Sequence, residues 1–409
     1  MIDYDPYSDE ILRDPSAIYR RLRDEAPVYH VRRWDAWALS RFQDIWDASI
    51  DTGRFSSAGG TLPAQVLTRQ QGAYPILNYV DPPEHRALRG IFLPLLLPRA
   101  VARLESFARA RSVEILESAQ AQGELDAMND FAVPLASRVA ARLIGVPEAD
   151  VPRMVGWVRR FFQHDPKDGS MTPDGVRATE EVNAYCSELA RSRRRQRSGA
   201  ADAVSALIAF EAKSGRTFSD AESGMHLGML VIGGSETIAK GIALLVALLA
   251  RFPDQREILL QDRSLVTDAF HEALRYDNPT QFLCRTVARD TALHGQWLRK
   301  GQGVMLLYAS GNRDEREFER PDVFDVRRRP ERILSFSAGE HLCLGIHLAR
   351  LEARVALEEI LARCPRYEID FERARPIRTE FIKGYASLPM RLSRGSRSGS
   401  RRGSSANAT

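Results

Sequence analysis

The segment from Ser219 to Ala250 constrains the fold more than any other part of this chain. Its 32 residues place apolar side chains at helical spacing and open on Ser219-Asp220-Ala221-Glu222, the pattern of a capped helix start. A helix of that length spans about 48 Å at 1.5 Å per residue, enough to cross an entire domain. Its most apolar stretch, Leu227 to Ala250, also carries Glu236 and Lys240. Lipid cannot solvate charges at such a depth, so the segment reads as the buried helix of a soluble protein and not as a membrane span.

The rest of the chain is consistent with a body folded around that helix. At 44% hydrophobic and 27% charged residues, the 409-residue sequence has the composition of a globular protein with a sizeable core. Asp14-Pro15-Ser16 starts an early helix, and VYHVRRWDAWALSRF reads as two short strands around a turn. Between Phe55 and Tyr79 no period is visible, which suggests a long loop over a binding site. From Pro83 to about Leu260 the spacing is helical throughout. After Arg275 come the strand-like runs CRTVA, TALHG and GVMLLYA, then a helix from Gly345, then short strands around YEIDF and SLPMRL. The expected fold is one large, mainly α domain with small β-sheets over residues 1–390.

Charge and cysteine usage exclude several functions. The formal net charge is +4, but the last 19 residues, RLSRGSRSGSRRGSSANAT, hold five arginines and no acid. The body is therefore close to neutral, with no expected nucleic-acid role, and residues 391–409 read as a disordered Ser/Gly/Arg-rich tail. The four cysteines, Cys186, Cys284, Cys343 and Cys364, form no CxxC pair. Neither a disulfide framework nor a structural zinc site is indicated. The start MIDYDPYSDEILRD lacks the basic and apolar regions of a signal peptide, so a cytoplasmic protein is expected.

The most informative string is Phe336-Ser-Ala-Gly339-Glu-His341-Leu-Cys343-Leu-Gly345, followed by IHLAR. It places one cysteine in a loop at the mouth of a helix, where unpaired N–H groups and a partial positive charge favour a thiolate. Gly339 and Gly345 let backbone turn tightly and approach a flat partner. A thiolate held in this way is a strong axial ligand for heme iron.

This pattern, FxxGxHxCxG followed by LAR, resembles the heme-binding loop of the cytochrome P450 monooxygenases. The resemblance implies Cys343 as the iron ligand, heme b as cofactor, and Phe336, Gly339 and Gly345 as part of the heme cradle. Other signals fall in the family's order. Glu272 and Arg275 in HEALR share a helix face and resemble the family's buried Glu-x-x-Arg, with Arg328 as the third, structural partner. Asp81-Pro-Pro-Glu-His85-Arg-Ala-Leu-Arg89 resembles the propionate-binding DPPxHxxxR; Arg285 and His341 match the remaining propionate contacts.

Within the long helix, Gly233 and Gly234 each cost about 1 kcal/mol relative to alanine, so an offsetting use is expected. The resemblance implies that the helix opens there to leave a groove for dioxygen, with Glu236 and Thr237 as the acid and alcohol that deliver protons for O–O cleavage. It also implies a substrate pocket lined by the 55–79 loop, by Leu230, Val231 and Gly234, by Gln281, Phe282 and Leu283, and by Tyr385 or Ala386. These are mostly apolar, with Gln281 as a hydrogen-bonding anchor.

The implied function is oxygenation of a small-to-medium lipophilic substrate by a monomeric enzyme. Electrons originate in NAD(P)H and arrive through a separate ferredoxin or flavodoxin and its reductase. Two alternatives share the heme signals. One is a heme-thiolate enzyme acting as a peroxygenase, in desaturation or in oxidative coupling; the other is a heme carrier or sensor, which has no need of Glu236 and Thr237.

Overall fold

The computed structural model describes residues 2–69, 74–165, 169–196, 199 and 201–392. The expected tail therefore lies outside the described residues from position 393 onward, as do residues 70–73 of the long loop. The helices that position the site are α1 (Glu84–Leu96), α2 (Val133–Ile144), α3 (Val151–Phe161), α4 (Pro173–Gln196), α5 (Asp220–Arg251), α6 (Val266–Tyr276) and α7 (Ile346–Arg363).

Helix α5 begins where its cap demands. The Ser219 hydroxyl accepts from the Glu222 N–H at 3.1 Å, while the Glu222 carboxylate accepts from the Ser219 N–H at 2.7 Å. It then runs through the middle of the molecule against α2, α3, α4, α6 and α7. From Ile238 to Leu249 every residue is buried, and apart from Lys240 this half is apolar all round because it has neighbours all round. By length and composition alone α5 could cross a membrane, yet 67% of its most apolar 18 residues are buried inside this fold.

The sheets are small and lie to one side. The largest joins β1 (Val28–Val31), β2 (Ala36–Leu39), β3 (Phe55–Ser56), β4 (Leu283–Val287) and β5 (Gly303–Leu306) in the order β1-β2-β5-β4-β3. The β2–β5 pair is parallel and the other pairs are antiparallel. A later hairpin joins β6 (Arg375–Arg378) to β7 (Lys383–Ser387).

Two details differ from the sequence expectation. TALHG is only half of a hairpin, because His294 and Gly295 turn with positive φ and Gln296–Leu298 pairs back on Thr291–Leu293. That second strand is largely exposed and so has no apolar alternation to betray it. The ordered body also passes the expected boundary at 390: Pro389–Arg391 pairs with Glu124–Asp126, and the Leu392 N–H donates to Gly123.

Candidate functional site

A cavity of about 370 Å³ lies between α5 and the loop that leads into α7. Met229, Leu230, Gly233, Gly234, Thr237 and Ile238 form the α5 wall, and Phe336, Ser337 and His341 to Gly345 form the opposite one. His85 and Arg89 reach one end from α1, and Arg285 reaches it from β4.

The cysteine loop is held by its own backbone. Gly339 has φ +67, and a Cβ there would stand 2.9 Å from the Ile50 Cα, so only glycine fits the turn. The Cys343 N–H donates to the Phe336 carbonyl at 2.8 Å. While Cys186, Cys284 and Cys364 are packed in apolar core, the side chain of Cys343 stands open to the cavity. Enclosure pushes the Cys343 thiol up; the Gly345 N–H and the Arg89 charge pull the other way without overcoming it. A thiolate at this position therefore calls for a further positive charge, which a metal ion bound to the sulfur supplies.

The polar end of the cavity gathers two histidines and two arginines whose partners are few: Glu340 and Asp81 stand 3.9 and 4.0 Å from His85 and His341, and Arg285 donates to the Cys284 carbonyl at 2.8 Å. The His85 and His341 rings lie 4.2 Å apart, and neither His85 Nδ1 nor His341 Nε2 has a hydrogen-bond partner. Burial pushes both imidazoles down, His341 to about 3 with help from the Arg285, His85 and Arg89 charges, so both are neutral near pH 7. Among the described residues no carboxylate comes within ion-pair distance of Arg89 or Arg285, although Arg285 is only 2% exposed. A guanidinium buried without an anion is expensive, so this end is built to receive negative charge.

The walls have the complementary shape. A Cβ at Gly233 or Gly345 would meet no protein atom within 4 Å, which leaves room for a flat group between α5 and the cysteine loop. A thiol on one face, glycine walls and two unpaired guanidiniums at the edge together fit a heme: Cys343 on iron, with Arg89, Arg285, His85 and His341 toward its propionates.

Several expected contacts are corrected by the structure. Helix α5 is continuous through Gly233 and Gly234, where the Thr237 Oγ1 donates to the Gly233 carbonyl at 3.5 Å, so the space beside the two glycines is not made by a break in the helix. Thr237 is on the cavity wall, at the edge of the face that carries Gly233, Gly234 and Ile238, but Glu236 is not. The Glu236 carboxylate is instead ion-paired with Lys240. Val231 lies in the apolar cluster that α5 shares with α4, not on the cavity wall.

Past α6 the chain lines the cavity with Asn278, Pro279, Thr280 and Leu283, whereas Gln281 and Phe282 turn outward. Gln281 is tied by its own amide to the Asn278 carbonyl at 2.5 Å and by its backbone to Phe381, and Phe282 is fully buried in the cluster under the large sheet. Tyr385 accepts from Arg251 at 3.3 Å, and Ala386 is exposed with its carbonyl bound to Asn129, so the β7 hairpin does not reach the wall. Leu230, Leu283 and Gly234 do line it, together with Thr61, Leu77 and Asn78 from the long loop.

One wall residue escaped sequence reasoning. Glu352, on α7, is fully buried with neither carboxylate oxygen hydrogen-bonded, and burial raises its carboxyl well above the usual range. The signal was present: it is an acid one turn past Leu348, on the face that carries Leu348 and Val355 into the core.

The family model described as Cytochrome P450 matches residues 153–383. The chain belongs to that family. It is 36% identical over 394 residues to Cytochrome P450 130 of Mycobacterium tuberculosis, covering 93% of this chain and 95% of that protein. Linalool 8-monooxygenase of Pseudomonas putida is 29% identical over 398 residues, covering 94% and 96%. Among solved structures, cytochrome P450 CYP109Q5 from Chondromyces apiculatus superposes with a TM-score of 0.86 at 30% identity, over 97% of this chain and 99% of that one. Cytochrome P450 proteins are heme-thiolate oxidoreductases that use dioxygen.

Away from the cavity, Glu272 and Arg275 are fully buried and joined by two hydrogen bonds of 2.7 and 2.8 Å. The Arg328 Nε approaches Glu272 at 3.3 Å, while Arg327 is exposed. The arginines also bind the carbonyls of Asn312, Pro321, Val323 and Glu319, so the trio clamps the 312–328 segment against α6.

Proposed function

We propose that this cytochrome P450 is a monooxygenase that hydroxylates a small-to-medium, neutral, lipophilic substrate. The observation that carries the reading is the juxtaposition, around one cavity, of an accessible Cys343 side chain and two guanidiniums that lack carboxylate partners. When bound there, heme b supplies the activation of dioxygen. In the overall reaction one dioxygen, two electrons and two protons convert R–H to R–OH and release one water.

The chain's own residues supply ligand, pocket and protons. Cys343 would hold the iron, and Arg89, Arg285, His85 and His341 would hold the carboxylates at the heme edge. With those cations committed, the remaining wall is mostly apolar, with the Asn78 and Asn278 amides, the hydroxyls of Thr61, Thr280, Ser335, Ser337 and Tyr308, and Glu352, whose carboxyl burial holds well above the usual range. That composition favours a neutral, mainly apolar molecule held by a few hydrogen bonds. The Thr237 hydroxyl faces the cavity and spends its proton on only a long bond to Gly233, so it is available to pass protons inward.

Electrons are supplied from NAD(P)H through a ferredoxin or flavodoxin and its reductase, in the cytoplasm. Leu342 is exposed beside Cys343, and Arg86 and Arg350 flank the same loop, the first bound to Glu340 and the second over the Phe336 ring at 5.9 Å. An acidic carrier would be drawn to that face.

Two variants test the reading. Cys343→Ser should abolish the red-shifted carbon monoxide band of the reduced protein; a band that survives the change removes the ligand assignment. Thr237→Ala should bind heme normally and divert reducing equivalents to hydrogen peroxide, and full coupling in that variant removes the hydroxyl from the proton path.

A further inference from the structure

Lys240 is among the largest fully buried side chains of the molecule, at 1% exposure, and the function described above does not use it. It lies one helical turn after Glu236, and its Nζ is bound to the Glu236 Oε1. Among the described residues, no other carboxylate pairs with Lys240 and no other cation pairs with Glu236. The lysine stem runs beneath β7, where a Cβ at Gly384 would fall 3.1 Å from both its Cγ and Cδ. Its ammonium sits 5.7 Å from the centre of the Phe162 ring, just past the end of α3. The fold thus sets aside a glycine notch and an aromatic face for one buried cation, although burying an ammonium costs several kcal/mol before its partner is counted.

Only Oε1 of Glu236 is engaged; Oε2 makes no hydrogen bond, and the side chain retains 11% exposure. We propose that Lys240 is a positioning residue for proton delivery. It anchors Oε1, fixes the carboxylate on the α5 face next to Thr237 but off the cavity wall, and leaves Oε2 as the single oxygen that exchanges protons with the Thr237 hydroxyl through water. Without the anchor, the carboxylate can rotate about its side-chain bonds and lose that alignment. The proposal rests on the reading of Thr237 as the last proton donor, so its test measures both residues separately.

The experiment is substrate-free turnover of the holoenzyme, driven by NADPH, a ferredoxin and its reductase, with oxygen uptake and peroxide release followed together. Dioxygen that takes up two electrons and two protons leaves as hydrogen peroxide; with four electrons and four protons it leaves as two waters. Lys240→Met should raise the peroxide share of consumed oxygen several-fold while leaving the carbon monoxide band unchanged, and Lys240→Arg should restore most of the parental share. In a Glu236→Gln background the Lys240→Met change should add nothing, since its effect runs through that carboxylate. Should Lys240→Met accumulate too little holoenzyme, Gly384→Ala displaces the same stem and should raise the peroxide share in the same direction. Extra peroxide from Thr237→Ala but none from Lys240→Met or Gly384→Ala overturns the positioning role alone. Parental partition in all of these variants overturns the proton path as well, and additive effects of Lys240→Met and Glu236→Gln show that the lysine acts by another route.

Discussion

Replacing Arg275 with methionine removes a guanidinium from a site with no access to water, and the cost can be worked from its bonds. Arg275 gives two hydrogen bonds to the Glu272 carboxylate and further ones to the carbonyls of Asn312 and Pro321, each at 2.9 Å, and of Val323 at 3.3 Å. Stripping one partner from a buried ion pair costs about 3–5 kcal/mol. The lower end applies here, because the Asp325 N–H at 3.1 Å and the Arg328 Nε at 3.3 Å stay on Glu272. Pro321 and Val323 also keep long contacts from Arg313 and Arg328, so the Asn312 carbonyl alone is orphaned, for a further ~1–3 kcal/mol. The sum, roughly 4–6 kcal/mol, is comparable with the whole stability of many domains, at about 5–15 kcal/mol. Urea denaturation of purified holoprotein should show a large drop in midpoint, with poor heme retention because the 312–328 segment is released. Glu272→Gln combined with Arg275→Met removes the stranded charge and should recover part of the loss. A midpoint for Arg275→Met within about 1 kcal/mol of the parent would refute the claim that this trio clamps the segment.

Two further outcomes follow from single positions. His226 is 2% exposed with an unbonded Nδ1, and burial, assisted by Arg216, pushes its ionisation down to about 4. Because the folded state refuses a proton that the unfolded chain accepts from about pH 6.5 downward, its contribution is complete above that pH and drains away toward pH 4. The loss reaches about 2 kcal/mol at pH 5, so His226→Gln should flatten the fall in denaturation midpoint between pH 7.5 and 5, and parallel profiles would contradict the assignment. Gly345→Leu probes the heme cradle without touching the fold: φ there is −86°, open to any residue, and a Cβ meets no protein atom within 4 Å. Heme content per chain should collapse while the melting of heme-free protein stays put, and full heme loading in this variant would mean that the space is not used as described.

How much of this was legible from the sequence depended on whether a signal was local. The α5 start could be read from four residues because a capping box closes on itself, and the cysteine loop because the positive φ at Gly339 is a property of the turn itself, although the atom a Cβ would strike there belongs to distant Ile50. The pocket wall after α6 could not be read that way. Asn278 to Thr280 and Leu283 line the cavity while Gln281 and Phe282 point into the core, a division set by how the chain bends to meet the β6–β7 hairpin, so Gln281 looks like an anchor in sequence and is spent on backbone in three dimensions. Glu236 is an intermediate case. Its neighbour Thr237 and its partner Lys240 are both visible in the string, and they make competing claims on its direction. A helix that stays continuous through Gly233 and Gly234 cannot satisfy both, since residues one apart diverge while residues four apart align. Two charges in apolar surroundings have nothing else to pair with, and the energy of leaving either one alone exceeds anything a neutral hydroxyl next door can offer. The acid therefore turns to the lysine, and whatever part it takes in moving protons is performed from that bound position.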